Sequence, residues 1–280
     1  MPKRPPTTFI LGAGKVGDAL ARAIRKAGGK AQLRPARKGL PKKPIDADLL
    51  IIAVRDRDIL PLATELAKKG LVGRATACVH VAGALDAEAL APLRAVCAGV
   101  AQMHPMISFA SHAHPPRLEG GHVHVKGDDA AVKRAKQLVS SLGMTPRTFP
   151  KLDPIGYHAA AGLVANGAAA LAALGAKILA QAGVDEATAP LMLGPLLRSV
   201  ADNVSALGFP QALTGPVRRG DPVAIAKHLA ILEARVPEAV PLFVASGLAQ
   251  LPLARQIGEA PSTGFDDIEK ILNATRKPSS

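Results

Sequence analysis

The chain has 280 residues, a formal net charge of +13, 48% hydrophobic and 2% aromatic residues, and two cysteines. This length suits about two domains with real cores, whereas two cysteines are too few for a disulfide framework. The low aromatic content argues against the stacking platforms of single-stranded nucleic-acid binders. We see no helix-turn-helix, zinc-finger or RNA-binding motif. The positive charge therefore favours phosphorylated, anionic small ligands over a nucleic-acid partner.

The N-terminal residues MPKRPPTT lack the apolar core of a signal peptide. Cys78 lies in an apolar run, which is typical of a buried thiol. Both observations predict a protein of the reducing cytoplasm.

A glycine-rich turn follows the first predicted strand. The apolar run at 9–11 predicts that strand, and a helical pattern then begins at Val16 and ends at the glycines 28–29. The turn between them has the sequence pattern GxGxxG, which is typical of a dinucleotide site. A turn with only a structural role could have the same pattern. In such a site the first glycine permits the tight turn, the second admits a pyrophosphate, and the third packs the helix on the strand. The expected cofactor contacts are Gly12, Ala13, Gly14, Lys15, Val16 and Gly17.

Strands and helices alternate through the first half of the chain. Further strands are predicted at 31–34, 48–54, 75–81, 99–103, 122–125 and about 145–149, with helices at 58–69, 87–94 and 130–142. Alternation of this kind is typical of an α/β fold. We therefore expect a Rossmann-type, doubly wound parallel sheet over residues 1–150.

The second half, residues 151–280, is predicted to be an all-α domain. Its first helix spans 154–183, and others are expected at 185–207, 221–235, 237–257 and 265–275. The first helix has no charge from residue 154 to residue 176, so it is long and apolar enough to cross a membrane. Its many Ala and Gly residues, with Tyr157, His158 and Asn166 among them, instead favour close packing against other helices. We expect no membrane span and a homodimer formed by the helical half.

A cationic segment indicates which nicotinamide cofactor the turn would take. NAD-binding folds use an acidic residue about 20 residues after the glycine turn, but here no Asp or Glu lies between Asp18 and Asp46. Arginine and lysine in that interval could bind a 2′-phosphate, or they could form a solvated basic face. We predict NADP(H). The candidate contacts are Arg34, Arg37 and Lys38, with Val54 and Arg55 after the third strand.

Three histidines lie where loops are expected to leave the sheet: His80, His104 and His158. Each could line a pocket at the carboxyl edge of the sheet, or could be an ordinary hydrogen-bonded structural residue. The remaining histidines of the first half, His112, His114, His122 and His124, read as loop and surface residues. No cysteine or carboxylate accompanies them at ligand spacing, so no metal site is predicted.

A polar, glycine-rich connection separates two helices of the second half. It could be an ordinary loop in which Asp221 caps the next helix, or the edge of an anion site. The candidate anion-binding residues are Thr214, Gly215, Arg218 and Arg219.

Five motifs occur together in order: GAGKVG, HVAGAL, HPMISF, YHAAAGLVANG and LTGPVRRGD. In this combination the chain resembles bacterial Rossmann-like proteins with a C-terminal helical domain of unknown function. Distant kin of that family are pyrroline-5-carboxylate reductase, ketopantoate reductase and the 6-phosphogluconate and β-hydroxyacid dehydrogenases. The resemblance implies an NADP-binding Rossmann domain, a 6-phosphogluconate dehydrogenase-like helical dimerisation domain, and a site in the cleft between them.

The chain departs from those kin at one position. The β-hydroxyacid and ketopantoate enzymes carry a catalytic Lys four residues before an Asn; Asn166 matches the Asn, but Gly162 stands where the Lys would be. His158 is one helical turn earlier and could act as the acid. We expect an NADPH-dependent reductase of a small carbonyl or imine compound. His158 would donate the proton, Asn166 would orient the substrate, and His104 and His80 would line the pocket. The alternative is a non-catalytic NADP(H)-binding sensor or scaffold.

Overall fold

A seven-stranded sheet forms the centre of the first half of the chain in the computed structural model, which describes residues 5–276. Its order is β2-β1-β3-β4-β5-β6-β7. The strands are β1 Thr8–Leu11, β2 Ala31–Arg34, β3 Leu49–Ile52, β4 Ala77–His80, β5 Gly99–Pro105, β6 His122–Gly127 and β7 Thr145–Arg147. Every residue of β3 and β4 is buried, because helices cover both faces of the sheet.

Helices pack on the two faces of this sheet over two separate cores. The helices are α1 Lys15–Lys26, α2 Asp56–Lys68 and α3 Asp129–Ser141, with short 3-10 helices at Ala36–Lys38 and Ala87–Leu93. Leu20 and Ile24 of α1 join Leu138 of α3 in one core. Ile59 of α2 joins Leu90 in the other. The prediction of a doubly wound α/β fold is confirmed.

One strand departs from the all-parallel sheet that the sequence suggested. Strand β6 runs antiparallel to β5, whereas β1 to β5 pair in parallel and β7 is parallel to β6. The reason is the connection at 106–121, which contains no helix to carry the chain back across the sheet. Consequently β6 begins at the edge where β5 ends, and His104 lies opposite His124 in the register.

The chain divides into two compact units, Met1–Ala165 and Asn166–Ser280, called here the first and second unit. The predicted domain boundary at 150–151 lies just before a long helix, α4 Pro154–Gln181, which begins in the first unit and ends in the second. Asp153 caps this helix, since its carboxylate accepts hydrogen bonds from the amides of Ile155 and Gly156, both at 3.0 Å.

The second unit is helical, as expected. After α4 come α5 Thr188–Leu207, α6 Pro222–Arg235, α7 Val240–Ile257 and α8 Ser262–Arg276, with a 3-10 turn at Pro237–Ala239. Asp221 caps α6 by accepting a 3.0 Å hydrogen bond from the amide of Ala224. The core of this unit lies between α6, α7 and α8, where Leu229, Leu251 and Phe265 are buried.

The long helix α4 is not a buried core helix, contrary to the expectation from its small residues. None of its residues is buried, and by length and composition it is the one helix of the described residues that could cross a membrane. Helix α5 is also largely uncovered: Leu191 is 74% exposed and Leu196 is 57% exposed. Helices α4 and α5 pack against each other at Gly175 and Leu193. A Cβ built on Gly175 would lie 3.5 Å from the side chain of Leu193.

Candidate functional site

The glycine-rich turn has the geometry that its sequence predicts. Gly12 has a φ of +117°, and a Cβ there would overlap the carbonyl oxygen of Ala53. A Cβ on Gly17 would overlap the carbonyl oxygen of Gly12, so this glycine lets α1 approach β1. Gly14 differs, because nothing among the described residues lies within 4 Å of a Cβ built on it. It also precedes α1 and provides no side-chain cap to that helix, so amide groups there are open to an anion.

A cleft of about 880 Å³ opens beside this turn, within the first unit. It collects most of the predicted site residues of that unit, namely Gly12, Ala13, Gly14, Lys15, Val16, Arg37, Val54, Arg55, His104 and His158. The cleft is also lined by residues that the sequence did not indicate for the site, namely Asp56, Asp58, Gly83, Phe109 and His112. A glycine-rich turn and a pair of histidines therefore share one cavity.

The cations after β2 have different roles in the structure. Arg37 lines the cleft. Arg34 instead donates hydrogen bonds to three carbonyl oxygens of its own loop: Gly39 and Lys38, each at 2.8 Å, and Leu40 at 3.1 Å. Arg34 thus holds the loop that carries Arg37, and Lys38 is exposed outside the cleft lining.

His80 is fully buried at the end of β4, where both ring nitrogens contact the backbone. Its Nδ1 accepts from the amide of Ala82 at 3.2 Å, so Nε2 carries the proton and donates to the carbonyl of Asp86 at 2.8 Å. Burial lowers the pKa of His80 below its usual value. This geometry fixes the 82–86 loop, and Gln102 assists by donating to the carbonyl of Ala82 at 2.9 Å.

Gly83 in that loop lies directly against two histidines of the cleft. A Cβ at Gly83 would overlap Nδ1 of His158 and would lie 2.8 Å from Nε2 of His104. The two imidazole rings meet edge to face, with centroids 5.9 Å apart. His104 comes from the end of β5 and His158 from the first turns of α4. The fold therefore brings together two histidines that are distant in sequence, and glycine at 83 leaves the space they occupy.

His104 is held in its neutral form. Burial lowers the pKa of His104 to about 4, and the nearby imidazoles of His158, His124 and His80 contribute in the same direction. Its Nδ1 is buried with no hydrogen-bond partner among the described residues. At neutral pH this side chain can donate or accept a hydrogen bond, but it carries almost no charge.

Tyr157 and His124 extend this group, and neither was predicted from the sequence as a site residue. The ring of Tyr157 meets His104 edge to face at 5.5 Å and lies 5.8 Å from His124. His124 was expected at the surface, which is wrong: it is 2% exposed and stacks on Phe149 at 5.7 Å. The reason is the antiparallel β6, which turns His124 back toward the edge where His104 lies. Burial raises the pKa of Tyr157 and lowers that of His124.

The predicted anion-binding loop of the second unit is held by its own arginine. Arg218 donates to the carbonyl of Leu213 at 2.7 Å and to that of Gln211 at 3.1 Å. It also forms an ion pair with Glu259. Thr214 and Arg219 are exposed, and Gly215 has a φ of +94°.

Asn166 is the first residue of the second unit and is exposed on α4. Within the described part of the chain, no three His, Cys, Asp or Glu residues form a group that could hold a metal ion.

Comparisons with known proteins agree with this fold. Residues 122–249 match the family model described as "Domain of unknown function (DUF2520)", so the chain carries such a domain, and the resemblance noted from the sequence is confirmed. No curated protein matches the chain significantly.

Several solved structures have the same fold at low sequence identity. A Bacteroides fragilis protein, provisionally described as an NADP oxidoreductase, is 19% identical, with a TM-score of 0.69 over 89% of this chain and 99% of that one. A Plasmodium falciparum pyrroline carboxylate reductase with NADP bound is 13% identical, with a TM-score of 0.59 over 95% of this chain and 99% of that one. A Myxococcus stipitatus imine reductase in complex with NADP+ is 18% identical, with a TM-score of 0.55 over 97% of this chain and 100% of that one. The chain thus shares the fold of these three proteins, a Rossmann-like sheet followed by a helical C-terminal region.

Proposed function

We propose that this chain is an NADP(H)-dependent reductase of a small carbonyl or imine compound. The observation that carries the proposal is one cleft of the first unit, which is lined by an open glycine turn, the half-buried His104 and the exposed His158. Gly14 leaves space for a pyrophosphate at the start of α1, and His104 and His158 line the same cavity. A cofactor-binding turn alone would suit a sensor equally well; the histidines favour an enzyme.

The cleft wall after β2 supports NADP(H) over NAD(H). In the described fold Arg37 lies on that wall just after β2, where NAD-binding folds place an acidic residue on the ribose hydroxyl. A guanidinium there can donate two parallel hydrogen bonds to a 2′-phosphate. Arg34 supports the arrangement indirectly by bonding the carbonyls of the loop that presents Arg37. Lys15 and Arg55 add positive charge to the same cleft.

His158 is the residue of this cleft best suited to donate a proton. When bound, NADPH supplies a hydride, and the oxygen or nitrogen of the reduced bond then needs one proton. His158 is exposed, and within the described residues no hydrogen bond occupies its ring nitrogens. His104 beside it is kept neutral by burial, so it can orient a substrate or the neighbouring imidazole without charge repulsion. Glycine at position 83 leaves the space that both rings occupy.

Turnover of NADPH with a panel of keto acids, aldehydes and cyclic imines tests this proposal. His158→Ala should slow the reaction of an accepted substrate about 10²–10⁴-fold, the usual contribution of a positioned acid. Its affinity for NADPH should not change. The matched control is His114→Ala, which removes an exposed histidine outside the cleft lining. Tight NADPH binding without oxidation by any member of the panel would favour the sensor or scaffold instead.

The helical half supports a second part of the proposal, a homodimer. Leu191, Leu196 and Val200 of α5 are exposed in the single chain, and α4 beside it has no buried residue. Apolar surface of this extent is typical of an interface in a soluble protein. A second copy is the simplest occupant, because a two-fold interface uses the same face twice.

Light scattering tests the assembly, since a dimer has twice the mass of the 28.8 kDa chain. Leu196→Glu should yield a monomer by placing a charge in the interface. Leu60→Glu is the matched control, because Leu60 is similarly exposed, at 52%, but lies on α2 of the first unit. A wild-type monomer, or a wild-type chain that partitions into lipid vesicles through α4, would contradict the dimer.

A further inference from the structure

A second cavity lies on the first unit, separate from the cofactor cleft. It is a groove of about 790 Å³ between α1, the end of α3 and the 115–119 segment. Three cations line it, Arg22 and Lys26 on α1 and Arg117 on the opposite side, against a single carboxylate, Glu119. The floor between them is apolar, with Leu118 and Leu142 buried. The groove shares no lining residue with the cleft of His104 and His158.

The charges of the groove are only partly neutralised within the chain. Arg117 approaches Glu119 at 3.6 Å, with both side chains largely exposed. Arg22 pairs with Asp18 at 2.9 Å. Lys26 forms no ion pair with any carboxylate of the described residues. The first unit also holds all of the excess of basic over acidic residues, because the two balance in the second.

We infer that this groove binds a small phosphate ester, with the phosphate on Arg22, Lys26 and Arg117 and an apolar group on the floor. The chemistry follows from the lining. Arginine and lysine on two facing walls suit a dianion. The alanine and leucine surface between them suits a compact apolar body.

Asp18 links the groove to the cofactor cleft. Its Oδ2 accepts from Nε of Arg22, which lines the groove, and from Nδ1 of His112, which lines the cleft, at 2.9 and 3.4 Å. Asp18 also lies in the first turn of α1, the helix whose start faces the cleft. An anion that draws Arg22 away leaves the charge of Asp18 less neutralised there, which disfavours a second anion at the helix start. Filling the groove therefore weakens NADPH binding, and this second effect, unlike groove binding itself, rests on the proposed function.

Phenyl phosphate is the probe, titrated calorimetrically into the full chain without cofactor. Lys26→Gln should weaken its binding about 10-fold, as expected for one lost charged contact. Lys133→Gln, which removes an exposed lysine of α3 outside the groove, should leave binding unchanged. Absence of binding, an unchanged affinity in Lys26→Gln, or binding that depends on Arg37 of the cleft would each overturn the groove site.

The link is tested by titrating NADPH with the groove empty and then saturated with phenyl phosphate. The affinity for NADPH should fall about 5-fold, at the lower end of ordinary coupling between sites. Asp18→Asn should abolish that difference while phenyl phosphate still binds. An unchanged or increased NADPH affinity on saturation would overturn the link and leave the groove site standing. If NADPH does not bind at all, the proposed function fails, but the calorimetric result for phenyl phosphate is unaffected.

Discussion

His104 and His124 face each other across the antiparallel pair of β5 and β6, and each has a buried Nδ1 without a hydrogen-bond partner among the described residues. Both imidazoles have lowered pKa values, for which burial is the largest cause. Both imidazoles are therefore neutral at neutral pH, and one of them, His104, lies against His158. A buried nitrogen without a hydrogen-bond partner destabilises the folded state, and two such nitrogens lie here on neighbouring strands. Costs of this kind are characteristic of functional sites.

The first prediction concerns the loss of stability in acid. The pKa of His104 is lowered from 6.5 to about 4 in the folded chain. As the pH falls from 6.5 to about 4, the free energy of unfolding should therefore decrease, partly because of His104. Between these pH values His104 is protonated in the unfolded chain but not in the folded chain. The free energy of unfolding therefore rises with pH in this range. His104→Phe should remove this part of the dependence. Urea denaturation of both proteins at neutral pH and at about pH 5 measures it. Equal losses of stability in the two proteins would contradict the pKa assigned to His104.

The second prediction concerns Gly83, whose missing side chain makes room for His104 and His158. Gly83→Ala must displace one of the two rings, and overpacking of this kind costs about 1–3 kcal/mol. We expect the variant to be destabilised and to lose turnover more than NADPH affinity. Gly73→Ala is the control, because a Cβ there meets nothing within 4 Å among the described residues. If both variants behave like the wild type, the two imidazoles are not held as described.

The third prediction separates the two arginines after β2. NADPH should bind at least about 10-fold more tightly than NADH, roughly the effect of one charged contact. Arg37→Asp should reverse much of this preference, because Arg37 lines the cleft. Arg34→Gln should instead weaken both cofactors, since Arg34 holds the loop through the carbonyls of Lys38, Gly39 and Leu40. Fluorescence titrations of the wild type and the two variants with both cofactors give the six affinities that are needed. A preference that survives Arg37→Asp would place the 2′-phosphate elsewhere.

The sequence predicted the parts of the site that local pattern determines. The roles of Gly12 and Gly17 follow from the spacing of a strand–turn–helix unit, and the structure matches them because each Cβ would meet backbone. The strands were predicted closely, since buried parallel strands are continuous apolar runs.

What the sequence could not predict depends on distant contacts. Periodicity contains no information on strand direction, so the antiparallel β6 and the burial of His124 were missed. The sequence did not indicate Tyr157 or Gly83 as site residues for a related reason. Their contacts with the histidines form only where β5, the 82–86 loop and α4 meet in the folded chain. The sequence predicted a homodimer formed by the helical half, but the pattern of α4 alone does not show that none of its residues is buried within the chain.

The fourth prediction uses Tyr157, the single tyrosine of a chain without tryptophan. Tyrosine absorption and emission therefore report on this residue alone. Burial raises the pKa of Tyr157, so the near-ultraviolet absorption of tyrosinate should develop only above the usual value of 10. Bound NADPH should quench its emission, because Tyr157 contacts His104, which lines the cleft, and the reduced nicotinamide absorbs in the near ultraviolet. Free tyrosine with the same NADPH concentration corrects for absorption by the solution, and Tyr157→Phe confirms the origin of the signal. NADP+ lacks that absorption and should quench less. If saturating NADPH leaves the emission unchanged after this correction, the nicotinamide does not lie at the histidine end of the cleft, and the catalytic assignment of His158 fails with it.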